Sequence, residues 1–531
     1  MASAAVNIPN MKTAIESGVF PGKLAKGRTE FVFPTLACGS SHGATLLWTV
    51  YVRLLPSEGG SYAPIADAML DKPTNALEGY KAEITVESLQ EGGKVRDSVP
   101  TYVCAGKNLG KKNATNCLTQ ALRDALGLYN KQRRRGAAPA AKNAEAGKSA
   151  ETGDSGFDAS PPPMLVKKLG GSCGATLKPA DFAAGVTVQR KLNGVHFVVY
   201  ARKSFEKERP LVRYSRTGTE YPGQDHIAAE MLPMFAITPP IEPGKYGTPA
   251  TAATERDRRI LAAYGAGPDA GDPAPYFDGE LYVHGRALNW ISGQARRSDD
   301  EGVLEFHVFD VFFPHAKAVG HDMASRHRQA YLDAFFAKAG EAKLAHPHIF
   351  RVENHSAKSA GDLDGLAKQF LAEGYEGAIA RKDSAGYRYG YNNYHATNVL
   401  KLKPKYDAEF TVVGFTQGSR GKDVGAVIWV CAVPGAPRGT TFNVVPKDME
   451  YKTRYALFRC LSQKVPESVG GAAGITRFER DVKGLPLTVE YAELSAKTGK
   501  PLQAKALAFR TYETGPEKDP IRKLLSECGK L

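Results

Sequence analysis

The spacing of apolar and polar positions changes several times along the chain, and the changes divide it. Residues 31–36 and 45–53 are rich in aromatic and β-branched side chains and read as strands, a pattern that continues to Tyr102 and Val103. Leu118, Ala121, Leu122, Ala125, Leu126 and Tyr129 then recur at the spacing of an amphipathic helix, which ends in the basic run Lys131-Gln132-Arg133-Arg134-Arg135. These elements predict a small α+β module over residues 31–135, behind a loose tail at 1–30. The stretch 136–162 is dominated by Ala, Gly, Lys and Pro. It has too few large apolar side chains to order itself and reads as a flexible linker.

From 163 to about 405 strand-like and helix-like segments alternate. Strands are expected at 185–191, 195–202, 211–215, 276–283, 304–313, 375–381 and 399–404, and helices at 227–233, 325–338 and 363–373. Within this region two β-rich runs, 186–191 and 195–200, meet at Asn193-Gly194. Both residues tolerate the positive φ of a type I′ turn, so the pattern predicts a hairpin with Lys191 two residues ahead of its turn. Beyond 406 the strands are short and the turns glycine-rich, as at 409–415, 427–430, 442–445 and 487–494, which predicts a small β-barrel.

Composition adds a partner to this outline. The chain has 531 residues, enough for about three domains. Its formal net charge of +14 suits a polyanion, because lysines and arginines replace the counterions condensed on a phosphate backbone. The run at 131–135 fits a solvated helix end, a nuclear-import patch or a phosphate contact. The segment Gly106-Lys107-Asn108-Leu109-Gly110-Lys111-Lys112 lacks P-loop spacing and has no Ser or Thr after a lysine, so it reads as a basic turn. Its lysines Lys107, Lys111 and Lys112 are candidate nucleic-acid contacts. The seven cysteines form no C-x-x-C pair, and their odd number and wide spacing argue for a reducing compartment and against a zinc module. Residues 1–10 lack the apolar core of a secretory signal, and no run approaches a membrane span. The expected protein is soluble and intracellular, and monomeric by default.

Three further segments place charges where strands ordinarily bury apolar residues. Asp278-Gly279-Glu280-Leu281 and Glu376-Gly377-Ala378-Ile379-Ala380-Arg381 each carry acids in apolar surroundings, which need a cation or ligand. In Leu400-Lys401-Leu402-Lys403-Pro404, alternation puts Lys401 and Lys403 on one face, where two ammonium groups repel unless an anion lies between them. If Lys191 attacked a nucleoside triphosphate, these are the groups the chemistry would require: cations for the phosphates and carboxylates for a divalent metal. Taken singly, each segment also fits an edge strand with a solvated charged face.

Together and in this order, Lys191-Leu192-Asn193-Gly194, Asp278-Gly279-Glu280-Leu281, Glu376 to Arg381 and Lys401 to Pro404 resemble motifs I, III, IV and V of the covalent nucleotidyltransferases. Pro163-Met164-Leu165 and the segment 487–494 resemble the ATP-dependent DNA ligase branch, and the order of modules is similar to ligases of large DNA viruses. The likeness covers roughly 160–515. It implies an α+β multidomain protein: a nucleotidyltransferase (ATP-grasp-like ligase) domain at 163–405, an OB-fold barrel at 406–531 and the small N-terminal module. It also implies ATP as substrate, Mg²⁺ with Mn²⁺ as a substitute, and nicked duplex DNA as partner. Lys191 would be the AMP-bearing nucleophile, within a motif completed by Asn193 and Gly194. Glu280 and Glu376 would bind ribose or metal, and Lys401 and Lys403 the α-phosphate. Arg216 would touch the nucleotide or the nick phosphate, Phe309 would stack on adenine, and Gln189 would contact the base.

Three positions depart from the usual DNA ligase pattern. Asn193 stands where Asp is usual, His196 where an arginine is usual, and in the segment resembling motif VI only Arg510, a candidate nucleic-acid contact, is matched. An RNA ligase, a capping guanylyltransferase and a nucleic-acid-binding scaffold with an inactive nucleotide site are the rival readings.

Overall fold

The computed structural model describes residues 10–39, 45–71, 77–90, 93–98, 100–111, 113–134, 137–140, 161–170, 175–201, 210–239, 274–299, 301–314, 323–390, 398–418, 421–437, 439–465, 474–495, 498–510 and 520–528. Lys112 and most of the expected linker lie outside them.

In the N-terminal module the strands Thr45–Pro56 and Tyr80–Gln90 pair antiparallel along their length, and among the described residues eight strands share this sheet. The helix Cys117–Arg134 covers one face and buries Leu118, Ala121, Leu122, Ala125 and Tyr129, the stripe that the sequence spacing marks out. The expected tail is partly folded. Asn10 caps a short helix, Met11–Glu16, which puts Met11 and Ala14, with Phe20 behind it, into the same core. One and a half turns carry too few apolar residues to show a period, so pattern reading passes over them.

The central region is built on two five-stranded sheets. One runs in the order His355–Ala357, Val186–Lys191, Gly377–Lys382, Val399–Leu402, Lys167–Lys168; the other runs Leu211–Tyr214, Val195–Ala201, Tyr276–Tyr282, Glu305–Phe312, Ile349–Arg351. The predicted hairpin is therefore absent. Val186–Lys191 and Val195–Ala201 belong to different sheets, and neither Asn193 nor Gly194 has positive φ. Glycine is needed at 194 for closeness rather than for turn geometry: a Cβ there would lie 2.2 Å from the Leu281 carbonyl oxygen. The bend at Asn193-Gly194 is a corner that carries the chain from one sheet to the other.

The strands Tyr406–Gln417, Val427–Ala432, Thr441–Pro446, Lys505–Phe509 and Pro486–Tyr491 close into a barrel. Helices Tyr451–Leu461 and Pro520–Glu527 pack on it, burying Leu457, Leu461, Leu524 and Leu525. These helices bring Cys460 and Cys528, 68 residues apart, into a disulfide. Cysteine spacing gave no sign of this pair, because distance along the chain says nothing about which helix faces meet. Cys104, Cys117 and Cys431 are free. Among the described residues no helix is long and apolar enough to cross a membrane.

Candidate active site

Sheet register assembles the site. Lys191 ends its strand opposite Gly377, and Ile379 stands opposite Lys401, so three neighbouring strands bring Lys191, Glu376, Lys401 and Lys403 to one edge. Gly377 permits the approach: its φ is +142°, and a Cβ would lie 2.1 Å from the Leu402 carbonyl oxygen. The Glu376 amide donates to the Lys191 carbonyl at 2.9 Å. The Glu376 carboxylate pairs through Oε2 with Lys191 Nζ and through Oε1 with Lys403 Nζ, the latter at 2.5 Å. Burial opposes charge on Glu376, but the two lysines outweigh it and hold its pKa below the usual carboxylate range. Among the described residues Lys401 has no such carboxylate of its own. Burial, reinforced by nearby Lys191 and Lys403, pushes its pKa down despite Glu376.

Two of these groups, Lys191 and Lys401, border a cavity of about 440 Å³. Lys191, Lys401, Glu280, His196, Arg216 and Phe309 are among the residues that line it, with Met164, Leu165 and Val166 contributing from the segment that follows the expected linker. His196 and Glu280 stand opposite each other on adjacent strands. Burial raises the Glu280 carboxyl to about 7 against the opposing pull of His196 and Lys191. For His196 burial disfavours the charged ring, yet Asp278, 2.8 Å from Nε2, dominates and raises the imidazole pKa.

Phe309 is half-buried with its ring on the cavity, and the Arg381 guanidinium lies 5.2 Å from its centroid. Gln189 also lines the cavity but spends its amide on the protein. Nε2 donates to the Phe309 carbonyl at 3.1 Å and to Asn354 Oδ1 at 2.9 Å, while Oε1 accepts from Arg381 Nε at 2.8 Å. Asn193 sits at the corner between Leu192 and Gly194, which both line the cavity. Arg510 is elsewhere, on the barrel, paired with Glu409 at 2.9 Å. Lys107 and Lys111 are exposed on a turn of the N-terminal module, tied back by hydrogen bonds between Lys107 and Thr115.

Sequence reasoning assigned no role to the groups that hold the walls. Asp310 is fully buried and accepts from Arg328 at 2.8 and 3.1 Å and from Arg381 at 2.7 Å. Its signal was available, since an aspartate within Phe306-His307-Val308-Phe309-Asp310-Val311-Phe312 sits in an otherwise apolar strand.

No family model matches the chain. A DNA ligase of African swine fever virus, isolate Warthog/Namibia/Wart80/1980, is 36% identical over 494 residues, which cover 92% of this chain and 97% of that relative. The chain belongs to the DNA ligase family. A second relative, the DNA ligase of the Badajoz 1971 Vero-adapted strain of the same virus, is 35% identical over the same lengths. Among solved structures a Lig E DNA ligase shares 16% identity with a TM-score of 0.40, over 66% of this chain and 99% of that one. The bacteriophage T7 ATP-dependent DNA ligase in complex with ATP shares 17% with a TM-score of 0.33, over 66% of this chain and 98% of that one. Those scores are low, and membership rests on the sequence relatives. The resemblance to DNA ligases is thereby borne out, and the protein is an enzyme of that family.

Proposed function

We propose that this ligase seals nicks in duplex DNA with ATP, through a lysyl-AMP intermediate on Lys191. The observation that carries the reading is the cluster at the cavity edge, where Lys191, Lys403 and Lys401 surround the single carboxylate of Glu376. Three cations against one anion leave room for a phosphate. Lys191 Nζ attacks the α-phosphorus, pyrophosphate departs, and Lys401 and Lys403 balance the charge that builds on the α-phosphate oxygens. The adenylyl group then passes to a DNA 5′-phosphate, whose oxygen displaces the lysine, and the neighbouring 3′-hydroxyl displaces AMP. Arg216, which lines the same cavity, would meet the nucleotide or nick phosphate. An adenine stacks on the face of Phe309 away from Arg381, while Gln189 orients that wall rather than reading the base alone.

Magnesium fits this donor set. It takes one or two carboxylates together with phosphate oxygens and water, and among the described residues no group of three or more His, Cys, Asp or Glu offers a larger protein cage. Glu280 and Glu376 are the carboxylates that would hold it, and the cation would favour the charged form of Glu280. When bound, Mg²⁺ or Mn²⁺ neutralises the triphosphate.

The central region is read as the adenylation domain, the barrel as an OB-fold and the N-terminal module, with Lys107 and Lys111, as an added clamp on duplex DNA. The test is sealing of a labelled nicked duplex, all-DNA beside all-RNA, with ATP and Mg²⁺. DNA sealing that disappears in Lys191→Ala supports the reading, whereas sealing of RNA alone refutes it. Deleting residues 1–135 should weaken nick binding and spare lysyl-AMP formation; loss of adenylation in that deletion would refute the division of labour.

A further inference from the structure

Behind the cavity runs a line of polar contacts, two hydrogen bonds and one ion pair, that the adenylyl-transfer steps do not use. Tyr387 is fully buried, with its ring stacked on Phe312 at 4.5 Å. Its hydroxyl donates to Asp278 Oδ2 at 2.6 Å and accepts from the Met164 amide at 2.8 Å. The other oxygen of Asp278, Oδ1, lies 2.8 Å from His196 Nε2 as an ion-pair contact without hydrogen-bond geometry, so neither atom has a hydrogen-bond partner among the described residues. His196 in turn lines the cavity between Glu280 and the ring of Phe309, whose centroid is 5.8 Å away. Met164 belongs to the segment that enters this region after the expected linker, and that segment is held a second time where Tyr214 donates to the Pro161 carbonyl at 2.9 Å.

We propose that Tyr387 is a positioning residue for nucleotide binding: through Asp278 it orients the His196 imidazole toward ATP, and the Met164 amide completes the hold. The inference rests on the reading of the cavity as the ATP site.

The physical reason lies in the side chain at 196. An imidazole beside a carboxylate is held by their charges, and the placement of one ring nitrogen sets the direction of the other. Asp278 Oδ1 faces Nε2 across 2.8 Å and so limits how the ring turns in the cavity wall. Asp278 is itself almost fully buried, so its second oxygen needs a donor of its own. Tyr387 supplies that donor. Burial raises its phenol pKa well above the ordinary value, so the group remains a hydroxyl throughout the working range. The Met164 amide fixes the direction in which that hydroxyl can donate, since its oxygen must accept on one side while giving its proton on the other. The two hydrogen bonds fix the Asp278 carboxylate, and its charge facing Nε2 then limits the orientation of the ring in the cavity.

Formation of lysyl-AMP by the full-length protein, followed with labelled ATP, tests this. Tyr387→Phe keeps the ring and removes only the hydroxyl, and it should raise the KM for ATP about tenfold with a much smaller change in kcat. His196→Ala should do the same. In the double variant Tyr387→Phe should add nothing further, because the residue it positions is gone. Asp278→Asn, which retains shape but not charge, should reproduce the rise in KM and serves where Tyr387→Phe does not fold, as judged by its thermal midpoint. An unchanged KM in folded Tyr387→Phe or Asp278→Asn overturns the proposal. So does a Tyr387→Phe effect that persists undiminished in the His196→Ala background, which would make the tyrosine a packing residue only. Failure of the ATP-site reading looks different: wild-type protein would form no adduct with ATP, or Lys191→Ala would still form one.

Discussion

Two clusters of opposite charge lie close together in the central region, and their arithmetic differs. Around Asp310 the charges are closed. One carboxylate takes two guanidinium groups, Arg328 and Arg381, and Arg381 passes a further bond to Gln189. Asp310 and Arg328 are at most 1% exposed, with no face left for a ligand. Around Glu376 the charges are open. Lys191 and Lys403 occupy its two oxygens, Lys401 stands by with a depressed pKa, and the nearby Glu280 carboxyl is raised to about 7. A buried ion cluster with every partner in place fixes structure, and removing one member leaves an uncompensated charge. A cluster with surplus cations and a strained carboxyl stores an electrostatic preference that a phosphate and its metal would satisfy.

The largest effect that tests this contrast falls on the open cluster. Lys191→Ala should lower lysyl-AMP formation by about a thousandfold or more while leaving the thermal midpoint almost unchanged. A large drop in that midpoint would mean that Lys191 holds the fold, and the contrast would collapse. Next, Lys401→Met should slow adenylation by about a hundredfold, the scale for loss of a charge stabiliser in a catalytic site. Its stability should stay level or rise slightly, since a crowded cation is removed. The closed cluster should behave in the opposite way. Asp310→Ala should cost about 3–5 kcal/mol in denaturant unfolding, with adenylation falling only as far as Arg381 and Gln189 shift the Phe309 wall. A loss under about 1 kcal/mol would show that the arginines find water or other partners.

The smallest effect concerns acid. Burial opposes the Asp310 charge, but Arg328 and Arg381 outweigh it and hold the pKa below its ordinary value near 3.8. The resulting stability is complete above that value and is lost as pH falls through the lower, folded-state pKa. Wild-type protein should therefore lose this contribution only below about pH 4, and Asp310→Asn should flatten the acid limb of a stability–pH curve. A curve of the same slope in both proteins would assign acid unfolding to other carboxylates.

Much of the site was visible as misplaced charge. Glu280, Glu376, Lys401 and Lys403 interrupt apolar strand patterns, and burial rules alone mark such positions because an ion in a half-buried strand needs a partner, while Lys191 was marked by its Lys-x-Asn-Gly motif. Other features left weaker marks or none. Asp310 had the same signal, next to Phe309, but no role was read into it. Tyr387 is one tyrosine among 23 and carries no charge. Met11 and Ala14 lie in a helix too short to show a period.

By itself the sequence determined the family, the three-part organisation expected of the chain, the amphipathic stripe at 118–129 and the charged residues that would need partners. These are properties of composition and local spacing, and they persist whatever the long-range contacts. Only the tertiary structure decided that 186–200 turns a corner between two sheets, because Gly194 must pass within a Cβ's reach of Leu281. Only it decided that Cys460 meets Cys528, that Gln189 spends its amide on the wall of the cavity, and that Met164, Tyr387, Asp278 and His196 form one line. Partners separated by up to 223 residues are chosen by sheet order and helix packing. A period of two or 3.6 residues carries no information about either.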